Sequence, residues 1–180
     1  MFRLHGGGDT IGSTELLRHI ALERERTLEQ DPGFAFRIIV DIAAKALSPA
    51  INDPTTAVLA LDQIHNLLRE VGLRRLDTGL VHDSAGHLRL IYRTPDWEDF
   101  VRLAVTEIRQ FGANSTQVVR RMRAMLENLI PLVAPHRSSV LLQELDLLRS
   151  TVDQGFAMPQ DRMRADLPDF QGLGGHRKTA

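Results

Sequence analysis

The chain has 180 residues, 43% of them apolar and 25% charged, with a formal net charge of −1. That length suits one domain with a real hydrophobic core, and the near-neutral balance gives no electrostatic case for nucleic acid. Cysteine is absent, which excludes disulfides, thiolate metal sites and cysteine nucleophiles.

No apolar run approaches the ~20 residues of a membrane span. The opening MFRLHGGGDT is too short in its apolar part for a signal peptide. Lysine occurs only at Lys45 and Lys178; the resulting arginine skew reads as coding bias. Residues 1–12 carry no periodicity and read as a flexible leader. A single helical domain is expected over 13–170 and a disordered tail over 171–180.

In chain order, Ser13 or Thr14 can cap a helix running to about Glu29. Asp31-Pro32 restarts the chain: Asp supplies a capping oxygen, and Pro at the first helical position gives up no needed N–H. That helix is expected to end near Leu47, because Ser48 precedes Pro49 and is biased away from the α region. Asp53-Pro54 repeats the device. The next helix carries Ala57, Leu61, Ile64, Leu68 and Val71 on one face, with Gly72 as its C′ residue.

The only strand-like region follows. Asp83-Ser84-Ala85-Gly86 joins two apolar runs as a hairpin, with Leu88, Leu90 and Tyr92 on one face and Arg89 and Ile91 on the other. One hairpin cannot stand alone, so it must lie on the helices or pair with another chain.

Thr94-Pro95-Asp96 then starts a helix with the stripe Trp97, Phe100, Val101, Ala104, Ile108 and Phe111, ended by Gly112. Asn114 or Ser115 caps a helix with Val118, Met122, Met125 and Leu129 inward. Ser138 or Ser139 caps a long helix carrying Leu141, Leu145, Leu148 and Val152. A short helix is expected near 160–167. The fold class is therefore mainly α: a compact multi-helix domain with one β-hairpin.

The helix over 32–47 is apolar between Ala35 and Leu47 except at Arg37, Asp41 and Lys45, with Ser48 just beyond. These positions fall within roughly 80° of one another at 3.6 residues per turn. Three readings stay open. The seam faces water as an Arg37–Asp41–Lys45 ladder, each exposed pair worth only about 0.2–0.5 kcal/mol. Alternatively it faces a cleft, where Arg37, Lys45 and the helix starts at Asp31 and Asp53 form an anion pocket. Or it forms a subunit or domain interface. The corner over 46–58 has a purely structural account as well, in which Asn52 makes an Asx-type turn and Asp53 caps the helix after it.

Other candidates are weak. His82, Asp83 and His87 match no metal-ligand spacing. His19 and Glu23 are a common i,i+4 coincidence, and His65 reads as a satisfied or surface histidine. HGGG at His5–Gly8 lacks the Gly-x-Ser-x-Gly elbow that esterase chemistry requires. GLGG near the end lacks the lysine of a phosphate loop. Arg120, Arg121 and Arg123 read as a solvated helix face.

The run RTLEQDPGFAFRIIVDIAAKALSPAINDPTTA resembles the bacterial predicted membrane proteins grouped as domain of unknown function 2254. Arg26, Thr27, Gln30, Asp31, Pro32, Phe34 and Arg37 carry the first block. Asp41, Ile42, Ala43, Ala46, Leu47, Ser48 and Pro49 continue it, and Asn52, Asp53, Pro54, Thr56 and Ala57 close it. Weaker similarity extends through IRQFGANS and DLPDFQGLGG, covering about residues 20–175. Ala35 and Ala50 stand where glycine is expected, and Lys45 where arginine is usual.

The resemblance implies an N-terminal half with several transmembrane helices, which this chain lacks. Either the gene model begins late or the chain is a stand-alone relative of the soluble half. It also implies a location beside a membrane, on the cytoplasmic side. It supplies no reaction, cofactor or catalytic residue. The leading expectation is a non-enzymatic assembly or regulatory domain. Its partners would be a membrane-embedded segment of the same or a related protein, or a homo-oligomer, with no nucleic acid. The alternative is a ligand-sensing module for small anions, using Arg26, Gln30, Asp31, Arg37, Asp41, Lys45, Ser48, Asn52, Asp53 and Thr56. A metal-dependent hydrolase built on Asp41 or Asp53 is the third reading.

Overall fold

The computed structural model describes residues 2–6, 14, 31–76, 78–167 and 169. The helix expected from Thr14 to Glu29 and the tail after 170 lie outside the described residues, apart from the helical Thr14. The described elements are β1 (Phe2–Leu4), α1 (Pro32–Ala46), α2 (Pro54–Leu73), β2 (Leu80–His82) and β3 (Leu88–Tyr92). After them come α3 (Trp97–Phe111), α4 (Thr116–Leu129), a 3₁₀ turn (Pro135–Arg137), α5 (Ser138–Gly155) and α6 (Pro159–Ala165). The chain is mainly α with a β-hairpin and one added strand.

Local chemistry sets most helix starts. Pro32 and Pro54 each occupy the first helical position, where the missing N–H costs nothing. Asp96 and Asp99 form a reciprocal capping box on α3: Asp99 N–H donates to Asp96 Oδ1 at 2.8 Å, and Asp96 N–H to Asp99 Oδ2 at 3.2 Å. Ser115, not Asn114, caps α4.

Some expectations need correction. Asp31 is the N-cap of α1, but its side chain makes no capping bond. Neither Ser138 nor Ser139 caps α5; Arg137, the last residue of the 3₁₀ turn, holds the N-cap position, and Ser138 Oγ donates to the Pro135 carbonyl instead. Gly72 is not a C′ residue, since α2 continues to Leu73. A Cβ there would lie 2.8 Å from Val133 Cγ1 and 3.2 Å from Trp97 Cη2. The glycine is thus the point where α3, through Trp97, and the connection after α4, through Val133, press on α2.

The helices bury one continuous apolar core. α1 packs on α2 and α3, α2 on α4, and α4 on α5. Phe36 and Phe100 join α1 to α3 with ring centroids 5.4 Å apart. Phe36, Val40 and Ala43 are buried on α1, and Val118, Met122, Met125 and Leu129 on α4, as the periodicity requires. Phe111 departs from its stripe and is 53% exposed, at the last residue of α3.

The sheet has the order β1–β3–β2, antiparallel throughout. Phe2–Leu4, read from sequence as part of an unpatterned leader, pairs with β3 as an edge strand. Three residues are too few for alternation to show, so only the pairing reveals the strand. Gly79 opens the hairpin with φ +69°, and a Cβ there would meet the Tyr92 carbonyl oxygen at 1.9 Å. The sheet has only peripheral contact with the described helices.

Candidate functional site

The corner between α1 and α2 is built from its own polar groups. Ser48 Oγ donates to the Lys45 carbonyl at 2.8 Å. The Ile51 and Asn52 N–H groups both donate to the Ser48 carbonyl, and the Asp53 N–H reaches back to the Ala46 carbonyl at 2.8 Å. Asn52 takes φ +50°, a left-handed conformation that asparagine tolerates better than most side chains.

Asp53 Oδ1 then accepts from the N–H groups of Thr55 and Thr56, both at 3.1 Å, and Oδ2 accepts from Thr56 Oγ1 at 2.5 Å. The Thr56 hydroxyl above all, with these N–H groups, holds the Asp53 carboxyl below its usual range. Asp53 itself therefore takes up the α2 N–H groups that the anion reading would have left for a ligand.

The polar seam faces outward. Asp41 and Lys45 are exposed, while Arg37 and Ser48 are partly buried. Arg37 does not pair along its own helix: Nη1 lies 2.6 Å from Glu107 Oε1 on α3. The seam is not the only open strip on α1 either, because Ile38 is 39% exposed and Ile42 49%. Arg26 and Gln30 lie outside the described residues. The structure thus gathers Ser48, Asn52, Asp53 and Thr56 in one corner and sets Asp41 and Lys45 along an outer face.

A second feature is a cleft of about 530 Å³ among Leu76, Thr78, Trp97, Glu98, His136 and Arg137. Arg137 holds it together. Nη1 donates to the carbonyls of Gly72 at 2.8 Å and Arg74 at 3.0 Å, covering the end of α2. Its guanidinium carbon lies 5.9 Å from the centre of the Trp97 ring, and the Trp97 indole N–H donates to the Arg137 carbonyl at 2.8 Å. A cation at a helix C-terminus complements both the orphan carbonyls and the dipole.

The arginines of α4 are not a solvated face. Arg121 is buried, with Nε 3.1 Å from Asp62 Oδ1 on α2 and Nη1 3.4 Å from Asp169 Oδ2. Arg123 Nη2 lies 2.6 Å from Asp166 Oδ1, and Arg120 Nε donates to the Leu167 carbonyl. Three contacts thus tie the segment after α6 to α4. A second pair joins the half-buried Arg109, through Nε, to Oε2 of the buried Glu144 at 3.4 Å, with Arg109 Nη1 donating to Thr151 Oγ1. None of these partners is close in sequence, so spacing could not have revealed them.

His65 is buried, with Nε2 2.9 Å from Asn128 Oδ1. Burial pushes its pKa down, against the opposing pull of that hydrogen bond. Asp83 organises the hairpin turn: Oδ1 accepts from the His87 and Ala85 N–H groups, and Oδ2 from Arg89 Nε at 2.8 Å. These bonds, the His87 N–H first, hold its carboxyl below the usual range. Among the described residues, no three His, Asp or Glu side chains are grouped to hold a metal ion.

A helical core, a small sheet and a self-capped corner define a mainly helical domain. The chain belongs to the family described as predicted membrane protein (DUF2254), whose family model matches residues 1–128. Uncharacterised proteins of Mycobacterium bovis and of two Mycobacterium tuberculosis strains are each 31% identical over 150 residues. The match takes in 81% of this chain and 28% of each relative, so the chain spans well under half of their length. No solved structure matches. Among the described residues, no helix is long and apolar enough to cross a membrane.

Proposed function

We propose that this domain is a non-enzymatic assembly or regulatory unit of a membrane protein, placed on the cytoplasmic side, with the outer face of α1 as its docking surface. The observation that carries the reading is the exposure of Ile38 and Ile42 beside Asp41 and Lys45, on a helix whose inner residues Phe36, Val40 and Ala43 are fully packed. Branched apolar side chains flanked by charges suit a surface that another chain covers.

The test is sedimentation of the chain over a wide concentration range. Self-association is expected, and Ile42→Glu should abolish it without lowering the thermal midpoint. A chain that stays monomeric at the highest concentration, with the variant indistinguishable from it, overturns the assembly reading.

The small-anion reading has less support from the geometry, because Asp53 itself caps α2 and Arg37 is engaged by Glu107. Thermal shift against phosphate, nucleotide and carboxylate panels separates it from assembly. It requires a shift at millimolar ligand that Arg37→Ala removes. The hydrolase reading requires divalent-metal binding that Asp41→Asn or Asp53→Asn abolishes, which calorimetric titration with the metal checks.

A further inference from the structure

We infer that the three-stranded sheet is a second docking surface, separate from α1, and that its occupant is an anionic lipid bilayer surface. The inference rests on membership of a membrane-protein family and not on assembly through α1.

The register places Leu4, Leu90 and Val81 in one cross-strand row, and Arg3, Ile91 and Leu80 in the next. Opposed residues point to the same side and successive rows alternate. One face is therefore apolar and the other mixes arginine with Ile91 and Leu80. The His5 N–H donates to the Arg89 carbonyl at 2.8 Å, which extends the β1–β3 pairing and brings His5 beside Arg89. Neither face is closed: Leu4 is 41%, Leu80 45% and Val81 43% exposed, and every residue of β2 is exposed.

Charge is segregated to the same place. Residues 2–6 and 79–93 hold Arg3, Arg89 and Arg93 against a single acid, Asp83, in a chain whose net charge is −1. Arg3, Arg89 and Arg93 are exposed. Asp83 is already engaged by Arg89 and by turn N–H groups. On the mixed face the exposed Leu80 and the half-buried Ile91 share a row with Arg3, and arginines set among apolar side chains match the chemistry of a bilayer interface, where apolar groups enter the acyl boundary and cations meet anionic headgroups.

A second copy fits less well. Three strands of three to five residues span roughly 250 Å², against the ~800 Å² per partner of a stable protein interface. The same basic surplus would also face itself in parts of such a dimer. A continuous anionic surface imposes neither limit.

The experiment is co-sedimentation of the whole chain with vesicles of phosphatidylcholine alone, and of phosphatidylcholine with about one-third phosphatidylglycerol, at low and high salt. Binding is expected only with phosphatidylglycerol, weaker by about tenfold at high salt, and reduced in the double variant Arg3→Gln, Arg93→Gln. Leu80→Asn, on the same face as Arg3, should weaken it further. Should that apolar variant not fold, the arginine variant, which alters only exposed side chains, still decides. No binding to phosphatidylglycerol vesicles, equal binding to both vesicle types, or unchanged binding in the arginine variant overturns the inference. Concentration-dependent dimerisation lost in Val81→Asn and insensitive to vesicles assigns the surface to a second copy and overturns it as well. Ile42→Glu should leave vesicle binding intact, so failure of the α1 reading and failure of this one are distinguishable.

Discussion

At the scale of single residues, solvent exposure decides what each charge contributes. Asp41 stands exposed on α1, and Arg37 has turned to Glu107. Asp41→Ala should therefore cost under about 1 kcal/mol in urea denaturation; a loss of ~3–5 kcal/mol would mean a buried, paired carboxylate. His65 behaves differently, because burial depresses its folded-state pKa below the model-peptide value of 6.5. As pH falls through the usual imidazole range, the unfolded chain then binds a proton that the folded chain does not. Stability is fully present above the unfolded pKa and falls as pH drops through it. His65→Gln, which keeps a donor for Asn128, should flatten that slope relative to the parent. Asp53 and Asp83 have depressed values, so their contributions persist to lower pH and are lost only as pH falls below the usual carboxylate range.

At the scale of elements, contacts at helix ends and crossings matter more than helix propensity. Arg137 donates to carbonyls at the end of α2, so Arg137→Ala should lower stability by about 1.5–3 kcal/mol in thermal or urea unfolding, the range for hydrogen bonds to a charged group. The Trp97 indole bond would survive, since it uses the backbone of residue 137. Gly72→Ala pits two effects against each other. Alanine gains up to ~1 kcal/mol of helix propensity, but overpacking costs typically ~1–3 kcal/mol. With Val133 Cγ1 only 2.8 Å from the added Cβ, packing should win, and calorimetry should show a lower midpoint.

Much of this level was legible in advance. Asp31-Pro32, Asp53-Pro54 and Asp96 mark helix starts because the proline N–H and, at Asp53 and Asp96, side-chain capping are local chemistry. Gly72 was misread because α2 continues through Leu73, and neither Trp97 nor Val133 is its neighbour in sequence. Ser138 and Ser139 look like caps to local reasoning, yet the 3₁₀ turn at Pro135–Arg137 already leads into α5.

For the whole molecule, buried ion pairs join elements far apart in the chain. Glu144 is 4% exposed, and Arg109 is its ionic partner. Glu144→Ala should cost about 3 kcal/mol, the low end for breaking a buried pair, because Arg109 keeps some solvent contact and its bond to Thr151, whereas Arg109→Met with Glu144→Leu should recover most of that loss. Equilibrium denaturation of the single and double variants checks the pair; a double variant no better than the single would contradict the account.

By itself the sequence determined the helical class, the hairpin, the apolar faces that form the core and the self-capped corner after α1, because each depends on periodicity or on groups a few residues apart. Tertiary structure alone decided that Arg37 pairs with Glu107 and that Arg121 is buried against Asp62 and Asp169. It alone added Phe2–Leu4 to the sheet and left Ile38 and Ile42 open. Those outcomes depend on which distant surfaces meet, and side-chain spacing along one element carries no information about what is packed across from it.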